Sequence, residues 1–279
     1  MSIKVENLSY VYMKNSPFEK AALKNINLTI ESGEFVGIIG RTGSGKSTLV
    51  QHFNGLLKPT SGKVVVNGMD TSGRSLKELR RQVGIVFQYP EHQLFEETVY
   101  MDIAFGPKKQ GLEESEVASR VKDALELVGL PEEFLEKSPF ELSGGQKRRV
   151  AIAGVIATNP RILVLDEPAA GLDPRGRDEI LGFVSELHRE SGITIILVSH
   201  NMEDVARLAE RIVIMNEGGI EMDGKPRDIF PRIDRLEQMG LSAPQVSYLM
   251  RRLKAAYPGI NANVFTISDA KKELLKYLK

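Results

Sequence analysis

A chain of 279 residues holds one large α/β domain, or one domain with a small appendage. Its 37 Lys and Arg balance 37 Asp and Glu, which argues against a basic surface for nucleic acid. It has no cysteine, so disulfides and thiolate metal sites are excluded and a reducing cytosolic compartment is the plain reading. The start, Met1-Ser2-Ile3-Lys4-Val5-Glu6-Asn7, is too polar for a signal peptide. Apolar runs such as Thr194 to Val198 fall far short of the roughly 20 residues of a membrane span.

In chain order, Ile3 to Met13 and Leu28 to Ile30 read as antiparallel strands, the second closed by a turn at Glu31-Ser32-Gly33. Four later runs rich in β-branched residues suit buried strands. Phe35 to Ile39 runs into Gly40-Arg41-Thr42-Gly43-Ser44-Gly45-Lys46-Ser47, and Val83 to Phe87 ends at Gln88. Ile162 to Leu165 ends at Asp166 and Glu167, and Ile193 to Val198 ends at Ser199 and His200. Ligands bind at the carboxyl ends of strands in an open parallel sheet, so four polar terminations predict one functional edge.

Between these strands, residues 99–158 read as helical, with Val117, Val121, Ala124, Leu125 and Val128 on one side of a first helix. Gly129-Leu130-Pro131 breaks it, and a second helix starts after Ser143 and runs to Asn159-Pro160. In the tail, Ser242-Ala243-Pro244-Gln245 reads as a helix start, and Leu249, Leu253 and Ala256 then repeat at helical spacing. About 55 residues cannot easily bury a core alone, so this tail is expected to pack on the rest of the chain or on a partner.

The first strand termination is a complete phosphate-binding P-loop. Gly40, Gly43 and Gly45 permit backbone conformations closed to other residues. The loop's N–H groups, those of Arg41, Thr42 and Ser44 included, then surround phosphates at the positive end of a helix starting near Thr48. Lys46 is placed to reach the β- and γ-phosphates of a nucleoside triphosphate, and the Ser47 hydroxyl to coordinate Mg²⁺. Asp166 stands where a carboxylate assists Mg²⁺. An Asp-Glu pair is commonly a helix cap with a solvated neighbour, but not directly after a Leu-Val-Leu strand in a P-loop chain. His52 and His188 read as structural; only its place two residues past Val198 promotes His200. Tyr10 and Tyr12 face the same side of a strand, and the loop after Tyr12 carries that residue toward the P-loop.

Leu142-Ser143-Gly144-Gly145-Gln146, preceded by this P-loop and followed by Arg161 to Glu167, resembles the ATP-binding-cassette (ABC) ATPase family over about residues 3–222. The resemblance implies an α/β P-loop fold: a RecA-like core with antiparallel β and helical subdomains, here with a small C-terminal α-rich extension. The expected division is 1–222 for the ATPase domain, its helical subdomain at about 99–158, and 223–279 for an extension serving packing or dimerisation. By resemblance, Glu167 is the general base, Gln88 a sensor touching Mg²⁺ and the attacking water, and His200 a contact to the γ-phosphate. Tyr12 would stack on adenine, and Asp173, in Gly171-Leu172-Asp173, would cross a dimer interface. The Ser143-Gly144-Gly145 segment opens a helix and forms a second anion cradle. The family arrangement is a head-to-tail pair with each ATP between one chain's P-loop and its partner's signature.

One P-loop and one signature leave a stand-alone nucleotide-binding subunit, and no heptad tract separates Lys46 from Asp166. The run from Phe87 to Val99 and the Asp102-Ile103-Ala104-Phe105-Gly106-Pro107 stretch look like the ATPases of energy-coupling factor importers, which take up vitamins and, in some systems, cobalt or nickel ions. With the Ser242 to Val246 tail, they resemble the second of the two ATPases of shared modules. The resemblance implies a second ABC ATPase as partner, a heterodimer favoured over a homodimer. It also implies a transmembrane T-component, a substrate-binding S-component and peripheral attachment to the cytoplasmic face of the membrane. The Tyr89 to Phe95 loop is expected to meet the T-component, and Phe105 to lie in the core. A dedicated cobalt or nickel importer ATPase and a soluble non-transport regulator are the alternatives.

Overall fold

A computed structural model describes residues 2–73 and 76–277; Met1 and the last two residues of the expected extension lie outside the described residues. An antiparallel sheet in the order β2-β1-β4-β5 joins β1 (Ile3–Tyr12), β2 (Lys20–Ile30), β4 (Ser61–Val66) and β5 (Met69–Asp70). The second strand begins well before Leu28, because Lys24 and Asn25 are exposed in succession and break the alternation that would reveal it. Asn25 has a positive φ of 49°, the mark of a local irregularity.

The central sheet has six strands in the order β10-β9-β3-β8-β7-β6. Five are parallel: β3 (Phe35–Ile39), β6 (Val83–Val86), β7 (Ile162–Asp166), β8 (Thr194–Val198) and β9 (Arg211–Asn216). Only β10 (Gly219–Gly224) runs antiparallel, at one edge. Every residue of β3, β6, β7 and β8 is buried, as in sheets covered on both faces. Period-two alternation sorts them into two cores. Val36, Ile38, Ile162, Val164, Ile196 and Val198 pack toward the antiparallel sheet and α1 (Lys46–Phe53). Phe35, Ile39, Leu163, Leu165, Ile195 and Leu197 pack toward the helices.

The helical layer holds α3 (Val99–Gln110), α4 (Glu114–Leu127), α5 (Gly144–Ile156), α6 (Pro174–Ser191) and α7 (Met202–Leu208), with α2 (Leu76–Gln82) leading into β6. A Cβ on Gly37 would sit 2.5 Å from Val205 Cγ1, so glycine lets α7 lie directly on β3.

The chain ends in α8 (Pro226–Ile229), α9 (Ile233–Gln238), α10 (Gln245–Ala256) and α11 (Ile267–Leu274). Phe230, Ile233, Leu236, Met239, Leu241 and Ala243 join the same core as the helical layer. Met250, Ile260, Val264 and Ala270 make a small cluster of their own. Of the three tail residues at helical spacing, Leu253 is half-buried, while Leu249 and Ala256 are exposed; α10 instead buries Ser247 and Met250. Gly240 has φ 67°, and a Cβ there would lie 3.0 Å from Arg41 Cδ, so the P-loop arginine rests on the tail. No helix among the described residues is long and apolar enough to cross a membrane.

Candidate nucleotide-binding site

The loop after β3 is shaped by its glycines. Gly43 and Gly45 have φ of 83° and 102°, values that favour glycine. At Gly40 a Cβ would meet Met215 O at 2.3 Å, and at Gly45 it would meet Ala22 O at 2.7 Å. The loop is thereby pressed against β9 and β2 and feeds straight into α1. Lys46 Nζ donates to Gly40 O (2.7 Å) and Arg41 O (3.1 Å), which folds its ammonium over the loop. Burial pulls the Lys46 pKa down, against the opposing pull of Glu167 and Asp166.

A cleft of about 380 Å³ opens there. It brings together Tyr12, Thr42, Gly43, Gly45, Lys46, Ser47, Thr48, Gln88, Asp166, Glu167 and His200. Tyr12 Oη and Thr48 Oγ1 share a hydrogen bond of 3.1 Å. Tyr10 sits behind, its ring edge-on to Tyr12 and to His52. His52 Nδ1 lies 2.7 Å from Thr48 O and His188 Nδ1 lies 2.9 Å from Ile193 O, so both imidazoles are held by backbone outside the cleft. Lys20 and Ala22 also line the cleft. Sequence reasoning missed them because it started β2 too late. Gly40, Arg41 and Ser44 do not line it: Ser44 is buried beneath, and Arg41 turns to Gly240.

Asp166 ends β7 and is buried. Burial raises its pKa, and Glu167 adds to the rise; a hydrogen bond from Ser47 and the charge of Lys46 work the other way. Ser47, Asp166 and Gln88 form an all-oxygen donor set of the kind hard divalent cations take, so these residues fit Mg²⁺. Glu167 follows with φ 54°, its N–H donating to Val198 O at 2.9 Å. Its Oε2 lies 2.7 Å from His200 Nδ1. The Glu167 side chain is 13% exposed and that of His200 is 73% exposed, so the histidine closes the cleft from the solvent side.

The signature lies elsewhere: none of Leu142, Ser143, Gly144, Gly145 and Gln146 lines this cleft. Ser143 caps α5, its Oγ accepting from Gln146 N while Gln146 Oε1 accepts from Ser143 N. A Cβ on Gly144 or Gly145 would meet nothing within 4 Å, so the helix start is open. Asp173 caps α6, accepting from Gly176 N at 2.7 Å.

Beside Gln88, Tyr89, Phe95 and Phe105 are exposed, and the two phenyl rings meet edge to face at 5.1 Å. The core placement expected for Phe105 is thus corrected: α3 buries Val99, Ile103, Ala104 and Pro107, which turns Phe105 outward at 41% exposure. Leu94 packs against the core.

Comparison with known proteins agrees with this geometry. A family model described as ABC transporter matches residues 23–170. The solved structure of cbiO1 from Clostridium perfringens, described as part of the ABC transporter complex cbiONQ, superimposes with a TM-score of 0.75 and 41% identity. It covers 89% of this chain and 98% of its own. The ATP-binding cassette MJ0796, solved as a dimer bound to ADP and Pi, gives a TM-score of 0.71 and 35% identity, covering 80% and 98%. The fold and the cleft define an ABC ATPase cassette.

Curated relatives narrow the class. The energy-coupling factor transporter ATP-binding protein EcfA2 of Acetivibrio thermocellus is 63% identical, covering 100% of this chain and 99% of the relative. That of Clostridium tetani is 59% identical, covering 99% and 97%. The chain belongs to the energy-coupling factor transporter ATP-binding proteins of the ABC transporter family.

Proposed function

We propose that this chain is the ATP-hydrolysing subunit of an energy-coupling factor importer for vitamins or related micronutrients. ATP binding closes a pair of ATPases, and hydrolysis opens it, which drives uptake through membrane subunits. The observation that carries the reading is the separation of the signature from the cleft, with Gly144 and Gly145 left open at a helix start. A second chain laid head to tail supplies the missing wall. Closure is then differential binding, the closed pair holding ATP that the open one releases.

In this reading Tyr12 packs on adenine, the loop from Gly40 to Thr48 surrounds the phosphates, and Lys46 exchanges its carbonyl partners for phosphate oxygens. Ser47, Asp166 and Gln88 would hold Mg²⁺, which would neutralise phosphate charge. Glu167 takes the proton of the attacking water as the γ-phosphoryl leaves ADP, and His200 touches that phosphoryl while holding Glu167. Asp173, committed to its cap, gives the interface loop a fixed shape. Residues 1–222 carry the ATPase and 223–279 the extension. The exposed Tyr89, Phe95 and Phe105 receive a T-component at the cytoplasmic face of the membrane, with an S-component bound through it. A second, different ABC ATPase is the favoured partner.

The test is affinity purification of the tagged chain from detergent-solubilised membranes of its source, followed by mass spectrometry. Recovery of a second ATPase, a polytopic protein and a small hydrophobic subunit is the expected outcome. Recovery of this chain alone, from the soluble fraction, would defeat the transport assignment.

A further inference from the structure

Arg148, in the first turns of α5, is nearly sealed from solvent, its side chain 4% exposed. Its Nε donates to Glu91 Oε2 (3.0 Å) and its Nη2 to Glu91 Oε1 (2.7 Å), a two-pronged ion pair. Its Nη1 donates to Ala170 O (2.5 Å) and Pro168 O (3.4 Å). One guanidinium thus holds three segments. Glu91 lies three residues past Gln88, in the short turn Pro90–Gln93 beside the exposed Tyr89. Pro168 directly follows Glu167. The third segment is α5 itself, whose open N-terminus carries the signature. Burial works to raise the Glu91 pKa, and Arg148 and Glu91's own N–H overcome it, so the net shift is downward and the carboxylate stays charged.

We infer that Arg148 is a positioning residue that ties the turn after Gln88 and the signature helix to the backbone behind Glu167. Through it, a shift of the membrane-facing turn, or of the signature on the far face, is felt at the general base. The inference rests on the reading of Glu167 as that base. The geometry needs arginine: a planar fork meets the carboxylate with two N–H groups and leaves others for the carbonyls, whereas a lysine ammonium is a point charge that cannot span all three.

Removing one partner alone would leave a buried charge unpaired and risk the fold, so both go together, as Glu91→Leu with Arg148→Met. Arg148→Lys is the second variant. The full chain is studied in its co-purified complex, with trinitrophenyl-ATP titration for affinity, phosphate release for turnover, and amide hydrogen exchange over 89–93 and 168–172. The expected result is affinity within about twofold of the parent, kcat lower by about tenfold or more, and faster exchange in both segments. Arg148→Lys is expected to behave likewise. Turnover within about twofold in the double variant, equal loss of affinity and turnover, or full activity in Arg148→Lys would overturn the inference. Glu167→Gln separates the underlying reading. If it hydrolyses ATP at the parental rate, the general-base role falls and the catalytic half of the inference with it, while the exchange data alone decide the tether.

Discussion

Glu167 is held at φ 54°, a left-handed conformation that costs an L-residue about 1–2 kcal/mol. The strain persists because Glu167 N–H donates to Val198 O and the next carbonyl is held by Arg148. It aims the carboxylate into the cleft and toward His200, an alignment that an extended residue at the end of β7 would not give. Asn accepts this backbone more readily, and the contact it gives up is to a His200 imidazole that is 73% exposed, which limits its worth. Glu167→Asn is therefore expected to melt at or above the parental temperature in scanning calorimetry while its turnover falls by about 10²–10⁴. A fall in both would show that the strain argument is wrong. Strand-end residues of this kind were legible because buried parallel strands are unbroken apolar runs, so Asp166, Glu167 and His200 stand out where each run stops. The φ of Glu167 was not legible, since Glu has no preference that announces it. Arg148 was hidden as well: in a sequence, a buried guanidinium looks like any surface charge beside Lys147 and Arg149.

At the scale of elements, the start of α5 does two jobs with one hydroxyl. Ser143 Oγ accepts from Gln146 N within its own chain, and the proposed pair asks the same residue to meet the partner's ATP. The two roles separate by substitution. Ser143→Ala removes the cap and is expected to lower stability by about 1 kcal/mol, whereas Ser143→Gly costs only a few tenths. Urea unfolding of the single chain reads this difference; hydrolysis by the pair is expected to fall in both variants, because both lose the hydroxyl. Equal stability of the two would deny Ser143 its capping role. The helix start after Ser143 was readable in the sequence, whereas its capping box with Gln146 is a finding of the structure. Faces of short helices were not: Phe105 in α3 and Leu249 in α10 are apolar and at plausible spacing, yet each helix rotates its buried stripe past them. A single apolar residue cannot phase a helix, and only its packing partners can.

At the scale of the molecule, the tail divides unequally. Phe230, Ile233, Leu236, Met239 and Leu241 are buried in the main core, while α10 and α11 close over a cluster of four buried residues. Full burial of each large apolar side chain is worth about 1.5–3 kcal/mol, against a net stability of about 5–15 kcal/mol for a whole domain. A chain ending at residue 224 is accordingly expected to fail to fold, and one ending at residue 243 to retain a cooperative thermal transition by circular dichroism. A stable chain ending at 224 would refute this account. The sequence reading expected the tail to need a surface to pack on, from its length alone. It could not assign which half would find one within the chain, because α10, the more apolar of the two helices, looks the better candidate, yet α9 is the one buried in the main core.

The same shared core sets a timetable for biosynthesis. β3, which carries the P-loop, pairs with β8 and β9, strands made more than half a chain later. The side chains of α9 that complete the helical face emerge later still. At about 5–20 residues per second the ribosome holds that face uncovered for many seconds, with an apolar sheet and no finished neighbour. The nascent chain is therefore a natural client for a chaperone until α9 has emerged, and α10 and α11 are the stretch still threading the exit tunnel when the core above them can first close.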